Sequence, residues 1–128
     1  MANDEKAIIN RRRAFLIETI KFDQLKGLEI GPLTAPLVTK EELKDQGEIF
    51  YLDHMPTDEL REKYADDPSV DVKKIIPVDF VCRDGNIVGA TSGNTFDYII
   101  ASHVIEHAPN LLQFLTEIER ILKPGGLC

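Results

Sequence analysis

The spacing of apolar and polar residues changes period several times along the chain. Residues 5–21 carry Ile8, Ile9, Phe15, Leu16 and Ile20 among charged neighbours. That spacing is loosely helical, so residues 1–24 are expected to form an N-terminal helical segment. Gly27-Leu28-Glu29-Ile30-Gly31 then reads as a short strand ended by a glycine. Pro32 and Pro36 keep a regular helix from starting at once. Residues 40–46 suit a brief, exposed helical turn. Residues 48–53 read as a second strand whose run between Glu48 and Asp53 is apolar and aromatic without alternation, as expected when both faces are covered. Thr57 is placed to cap a helix with Leu60 and Tyr64 on its inner face, and Asp66-Asp67-Pro68 ends it.

A third strand is expected over residues 75–81, followed by an Asp84-Gly85-Asn86 turn. Residues 86–94 are glycine-rich and weakly patterned, a loop or a short helix. Residues 96–101 form a fourth buried strand. From Asn110 to Lys123 the apolar positions 111, 112, 114, 115, 118, 121 and 122 recur at the helical period. Lys123-Pro124-Gly125-Gly126 reads as a helix stop: a cation at the negative end, a proline, and glycines for a left-handed turn. Alternating strands and helices imply right-handed crossovers and an α/β, doubly wound, parallel sheet.

Such a sheet binds nucleotides at the carboxyl ends of its strands, near the point where strand order reverses. The candidates are therefore the residues at the strand exits. They are Glu29, Gly31 and Pro32 for the first strand, and Asp53 and His54 for the second. Asp79 and Phe80 stand near the end of the third, and Ser102, His103, Glu106 and His107 follow the fourth. Asp53 lies 22 residues beyond Gly31, a spacing that suits an acid accepting hydrogen bonds from two ribose hydroxyls. Its other reading is an aspartate that opens a turn with its carboxylate in water. Asp79 could accept from an adenine amino group with Phe80 packed nearby, or be an ordinary strand-end aspartate.

Composition narrows the partners. Fifteen Lys and Arg against 22 Asp and Glu leave the 128-residue chain at a net charge of −7. Binding to nucleic acid or to an anionic membrane is disfavoured, because it needs clustered cations. Arg11-Arg12-Arg13 sits in a helical pattern and reads as a solvated face. Cys82 and Cys128 form no metal-binding or redox motif. The first twenty residues lack the apolar core of a secretory signal, and no apolar run approaches the roughly 20 residues that span a bilayer. A reduced, cytoplasmic protein is expected.

Glu29-Ile30-Gly31, Asp53, Asp79, the run from Phe96 through Ser102-His103-Val104-Ile105-Glu106-His107, and Leu122-Lys123-Pro124-Gly125-Gly126 together carry a resemblance. In order and spacing, over residues 25–126, they resemble class I S-adenosylmethionine-dependent methyltransferases. The resemblance implies a Rossmann-like sheet of strand order three-two-one-four that binds S-adenosylmethionine over residues 25–128. It also implies roles. Gly31 would let the backbone approach the cofactor and Asp53 would hold the ribose. Asp79 and Phe80 would face the adenine, and Ser102 and His103 would line the methionine side. Glu29 and His54 complete the cofactor-facing set. The implied reaction is in-line attack of a substrate oxygen, nitrogen or carbon on the sulfonium methyl. His103 or His107 would be the general base for a nucleophile that starts protonated, unless both are structural loop histidines.

Two departures from the family matter. Its glycine-rich loop normally has three glycines, whereas Gly31-Pro32-Leu33-Thr34-Ala35 has one. In the family a fifth strand, a helix and an antiparallel hairpin also follow the glycine pair, and this chain stops at Leu127-Cys128. The expected sheet therefore lacks its C-terminal strands and exposes the fourth strand as an edge through which two copies could pair. A non-catalytic cofactor-binding or dimerising fragment is the alternative to an enzyme. Two other enzyme readings are weaker. His103-Val104-Ile105-Glu106-His107 matches the H-x-x-E-H pattern of inverted zinc proteases. The first histidine follows a strand, however, and Pro109 comes soon after the second, so no metal site is expected. A nicotinamide dehydrogenase would need G-x-G-x-x-G, which is absent after the first strand. Residues 31–37 and 51–55 resemble methyltransferase domains found beside bacterial glycosyltransferases, which points to a sugar or glycan acceptor.

Overall fold

A computed structural model describes residues 11, 24–43, 47–102, 108 and 110–128. Among them the apolar runs become β1 (Leu25–Ile30), β2 (Gly47–Asp53), β3 (Phe80–Val81), β4 (Phe96–Ile100) and β5 (Leu122–Leu127). These form one parallel sheet of order β3-β2-β1-β4-β5. β1 lies at the centre, paired with β2 from Leu25↔Gly47 to Ile30↔Leu52 and with β4 from Gly27↔Tyr98 to Glu29↔Ile100. The helices among the described residues are α1 (Lys40–Leu43), α2 (Thr57–Lys63), α3 (Ile87–Ala90) and α4 (Leu111–Ile121), with a 3-10 turn at Val72–Lys74. Of the expected N-terminal helical segment only Arg11 and Gln24 are among the described residues; the rest, including Arg12 and Arg13, lies outside them.

The absence of alternation in the strands has its counterpart in two cores. On one face Ile49, Tyr51, Tyr98 and Ile100 pack with Leu43 of α1 and with Leu37 and Val38. On the other, Leu28, Ile30, Leu52, Phe96 and Ile99 pack with Ile87 of α3 and with Ile118 and Ile121 of α4. At the amino end of the sheet the Asp97 carboxylate accepts the Lys26 amide at 2.8 Å and the Lys123 ammonium at 3.4 Å. One side chain thus ties the starts of β1, β4 and β5.

Four expectations change. The supposed helix stop at residues 123–126 is most of β5, which runs beside β4 from Phe96↔Leu122 to Tyr98↔Leu127 with an irregularity between. Pro124 and two glycines are poor strand formers, yet proline is tolerated on an outer strand. Gly126 also lets the backbone come close: a Cβ there would lie 3.0 Å from the Asp97 carbonyl oxygen. Among the described residues the strand beyond β1 that ends the sheet is consequently β5 and not β4.

β3 has two residues instead of seven. Pro77 has no amide to donate, and the amides of Ile75, Ile76 and Val78 bond to Val72, Leu33 and the Thr57 hydroxyl. Thr57 is therefore inside α2 rather than its cap: Pro56 holds the cap position, and Thr57 Oγ1 accepts from Val78 at 3.0 Å. Finally, α4 forms as expected, with Asn110 capping it through the Gln113 amide, but only Ile118 and Ile121 of its apolar set are buried. Leu111, Leu112 and Leu115 are exposed.

Candidate functional site

Because every strand runs the same way, the residues leaving β1, β2, β3 and β4 share one edge of the sheet. Gly31 leaves β1 with φ 65°, the left-handed region that glycine occupies at little cost. Its amide donates to the Leu52 carbonyl at 2.8 Å, which keeps the turn flush against β2. Leu33 also has a positive φ, 51°. The single-glycine loop thus makes its turn with one glycine and one strained leucine.

Glu29 determines where that loop goes. The residue is 2% exposed and its carboxylate accepts the Leu37 amide at 2.9 and 3.0 Å and the Val38 amide at 3.3 Å. Tyr51 donates its hydroxyl to the Val38 carbonyl at 2.7 Å, fixing the same segment from β2. Burial pushes the Glu29 carboxyl up to about 7, only partly opposed by the two amides. Placed by sequence among the cofactor-facing residues, Glu29 has its oxygens turned instead into the fold, where they hold residues 31–38.

Asp53 ends β2 and is 8% exposed. Its Oδ1 accepts the His54 amide at 2.7 Å and lies 2.6 Å from His54 Nδ1. Among the described residues no hydrogen bond reaches Oδ2. His54 itself is exposed, and its Nε2 lies 3.2 Å from Lys63 Nζ. The spacing argument from Gly31 thus leads to a carboxylate at the expected edge, one strand over from the Gly31 turn.

Asp79 and Phe80 stand elsewhere than expected. Since Phe80 pairs with Leu52 and Val81 with Asp53, β3 begins at Phe80, and Asp79 stands before its start instead of near its end. Its oxygens accept the Lys40 ammonium at 3.1 and 3.2 Å, and Oδ2 accepts the Tyr51 amide at 2.9 Å. The Phe80 ring packs with Phe50 and Phe96, centroids 5.7 and 6.4 Å away, in the core under the sheet. β3 is shortened only at its start and ends at Val81, so its exit is at residues 82–86.

There Asp84, exposed, accepts the Asn86 amide at 3.0 Å across Gly85, whose φ is 79°. Asn86 in turn accepts the Gly89 amide at the start of α3. Asp84 is the acid that sequence reasoning missed at this edge. The Asp84-Gly85-Asn86 turn was visible and the expected strand ended at residue 81, so reading the residues beyond that end instead of Asp79 and Phe80 would have found the acid.

Ser102, half-buried just after β4, reaches the same edge. His103, Glu106 and His107 lie outside the described residues, and with them the general-base assignment and the H-x-x-E-H pattern. Among the described residues no group of three or more His, Cys, Asp or Glu could hold a metal ion, and no helix is long and apolar enough to cross a membrane.

Comparison with solved structures agrees with this architecture. The chain is similar to the CurJ carbon methyltransferase, with 22% identity and a TM-score of 0.52 over 88% of this chain and 30% of that one. It is similar too to the DszA carbon methyltransferase, with 24% identity and a TM-score of 0.54 over 98% of this chain and 34% of that one. The chain thus spans about a third of the length of these structures, and at such identities the likeness is one of fold. No curated protein matches the sequence. The family profile described as the methyltransferase domain matches residues 28–128, and the chain belongs to that family.

Proposed function

We propose that this chain binds S-adenosylmethionine along the carboxyl edge of its sheet and serves methyl transfer to a nucleophilic acceptor. The observation that carries the reading is the juxtaposition of the Gly31 turn with the open Oδ2 of Asp53 on the adjacent strand. A glycine with positive φ leaves the backbone accessible to a ligand, and an ionised carboxylate at a strand exit is an acceptor for a ribose diol. Both fit the nucleoside part of the cofactor. Asp84, at the exit of the next strand, is the acceptor we assign to the amino group of the base. When bound, S-adenosylmethionine supplies a methyl group already activated on sulfur, so the protein's share is placement.

Calorimetric titration with S-adenosylhomocysteine, with NAD as the control, tests the site. Asp53→Ala removes a charge-assisted acceptor and is expected to weaken S-adenosylhomocysteine binding by about 1.5–3 kcal/mol, roughly ten- to over a hundredfold. Unchanged affinity in that variant would overturn the ribose assignment.

For the acceptor we propose a sugar or glycan hydroxyl. Support comes from the sequence resemblance of residues 31–37 and 51–55, together with the net charge of −7, which disfavours nucleic acid. A methyl-transfer assay of the protein against sugar, peptide and small-metabolite acceptors is expected to show turnover with the sugars. Turnover confined to another class would refute that choice.

A further inference from the structure

Asp53 reaches the edge of the sheet with one oxygen already filled. Oδ1 takes two donors from a single neighbour, the amide and the Nδ1 of His54, at 2.7 and 2.6 Å. The other ring nitrogen lies 3.2 Å from Nζ of Lys63, in the last turn of α2. An ammonium can only donate, so Nε2 is the acceptor and the ring proton sits on Nδ1, directed at Asp53. α2 is a firm support for this arrangement. Leu60 beneath it is buried, and Thr57 Oγ1 accepts the Val78 amide from the segment leading into β3. A carboxylate oxygen with two donors has both lone-pair directions in use. Rotating the carboxylate would break both bonds, so Oδ2 is the oxygen left for a ligand.

We propose that His54 is a positioning residue: its Nδ1–H, with the proton placed by Lys63, locks the Asp53 carboxylate so that Oδ2 meets a ribose hydroxyl of the ligand. The proposal rests on the cofactor reading above and alters the role that sequence suggested for His54. The imidazole acts on Asp53 and has no contact of its own with the ligand. Lys63 thereby becomes part of the site through two intervening side chains, although it stands on a helix that the strand-exit rule does not include. An unlocked carboxylate at a strand end would have to be ordered when the ligand binds, and that ordering is what His54 supplies in advance.

Titration calorimetry with S-adenosylhomocysteine on the wild type, Asp53→Ala, His54→Ala, His54→Asn and the Asp53→Ala/His54→Ala double variant tests this. Asparagine places an amide N–H close to where Nδ1–H stands and is the conservative replacement. His54→Ala is expected to lose about five- to tenfold in affinity and His54→Asn to recover to within about twofold of wild type. In the Asp53→Ala background, His54→Ala should cost nothing further, because its only target is gone. Because His54 is exposed, equal melting temperatures are expected for the single variants at this position.

The outcomes separate the two readings. Wild-type affinity in His54→Ala, with Asp53→Ala weakened, overturns the positioning role and leaves the ribose assignment standing. Equal losses in His54→Ala and His54→Asn, or an additive loss in the double variant, show a direct contact of the imidazole with the ligand and overturn the proposal. No binding by the wild type, or none lost in Asp53→Ala, overturns both readings.

Discussion

Gly27→Ala is expected to lower stability by about 2–4 kcal/mol, the upper range of overpacking in a closed core. A Cβ built at Gly27 falls 2.1 and 2.2 Å from two carbons of the Tyr98 ring, where carbon atoms normally stop near 3.5–4.0 Å. Neither partner can give way easily. Gly27 is in the central strand, paired with Ile49 on one side and Tyr98 on the other, and Tyr98 is among the largest fully buried side chains. Alanine would otherwise gain about 0.5–1 kcal/mol over glycine within a strand, so the overlap reverses the sign of an ordinarily favourable change. Urea denaturation of the variant gives the magnitude. Adding Tyr98→Leu removes the ring from the space the methyl needs, and the double variant should be more stable than Gly27→Ala alone. Simple additivity of the two losses would show that the ring does not lie over Gly27.

Stability should also fall between about pH 4.5 and 7 because of Glu29. Its carboxyl is raised by burial from 4.5 to about 7, so in that window the folded chain keeps a proton that the unfolded chain releases. Stability therefore decreases as pH rises through the window and is flat above it, a total change of about 3 kcal/mol from this group. Glu29→Gln removes the titration while keeping an oxygen for the Leu37 and Val38 amides. It is expected to match the wild type near pH 5 and to exceed it near pH 8. Urea midpoints at the two pH values measure the difference, in which other titrating groups cancel. Glu29→Ala, by contrast, leaves two amides of buried residues without their acceptor and should be less stable than Glu29→Gln at both, by about 2–4 kcal/mol. A wild type whose pH dependence equals that of Glu29→Gln would show that the carboxyl is not raised.

Several parts of the fold were readable because they depend on short-range pattern. The unbroken apolar run of β2 needed cover on both faces, and it has cover on both. Asn110 was the natural start of α4, and its side chain does cap it. Asp53 was legible as the end of the second apolar run, one crossover and one strand beyond Gly31. Asp79 was misplaced for the opposite reason. Its environment depends on where β3 begins, and that was decided by which amides of residues 75–78 found acceptors in residues distant along the chain. Glu29 looked like a ligand contact because it stands near the exit of the first strand, two residues before Gly31. Its actual partners, Leu37 and Val38, approach only after the loop has folded back over the strand.

β5 shows the same division most sharply. Lys123-Pro124-Gly125-Gly126 has the local chemistry of a helix stop, and α4 does end just before it. Nothing local favours a strand there; pairing with β4 provides the partners. By itself the sequence determined the α/β class, the succession of strands and helices and the acid after β2, because period, turn residues and spacing act between near neighbours. The tertiary structure alone decided the register, the outer strand, which leucines of α4 stay exposed and which way Glu29, Asp79 and His54 point. Those depend on hydrogen bonds and packing between segments far apart in the chain, and such partners exist only once the sheet has assembled.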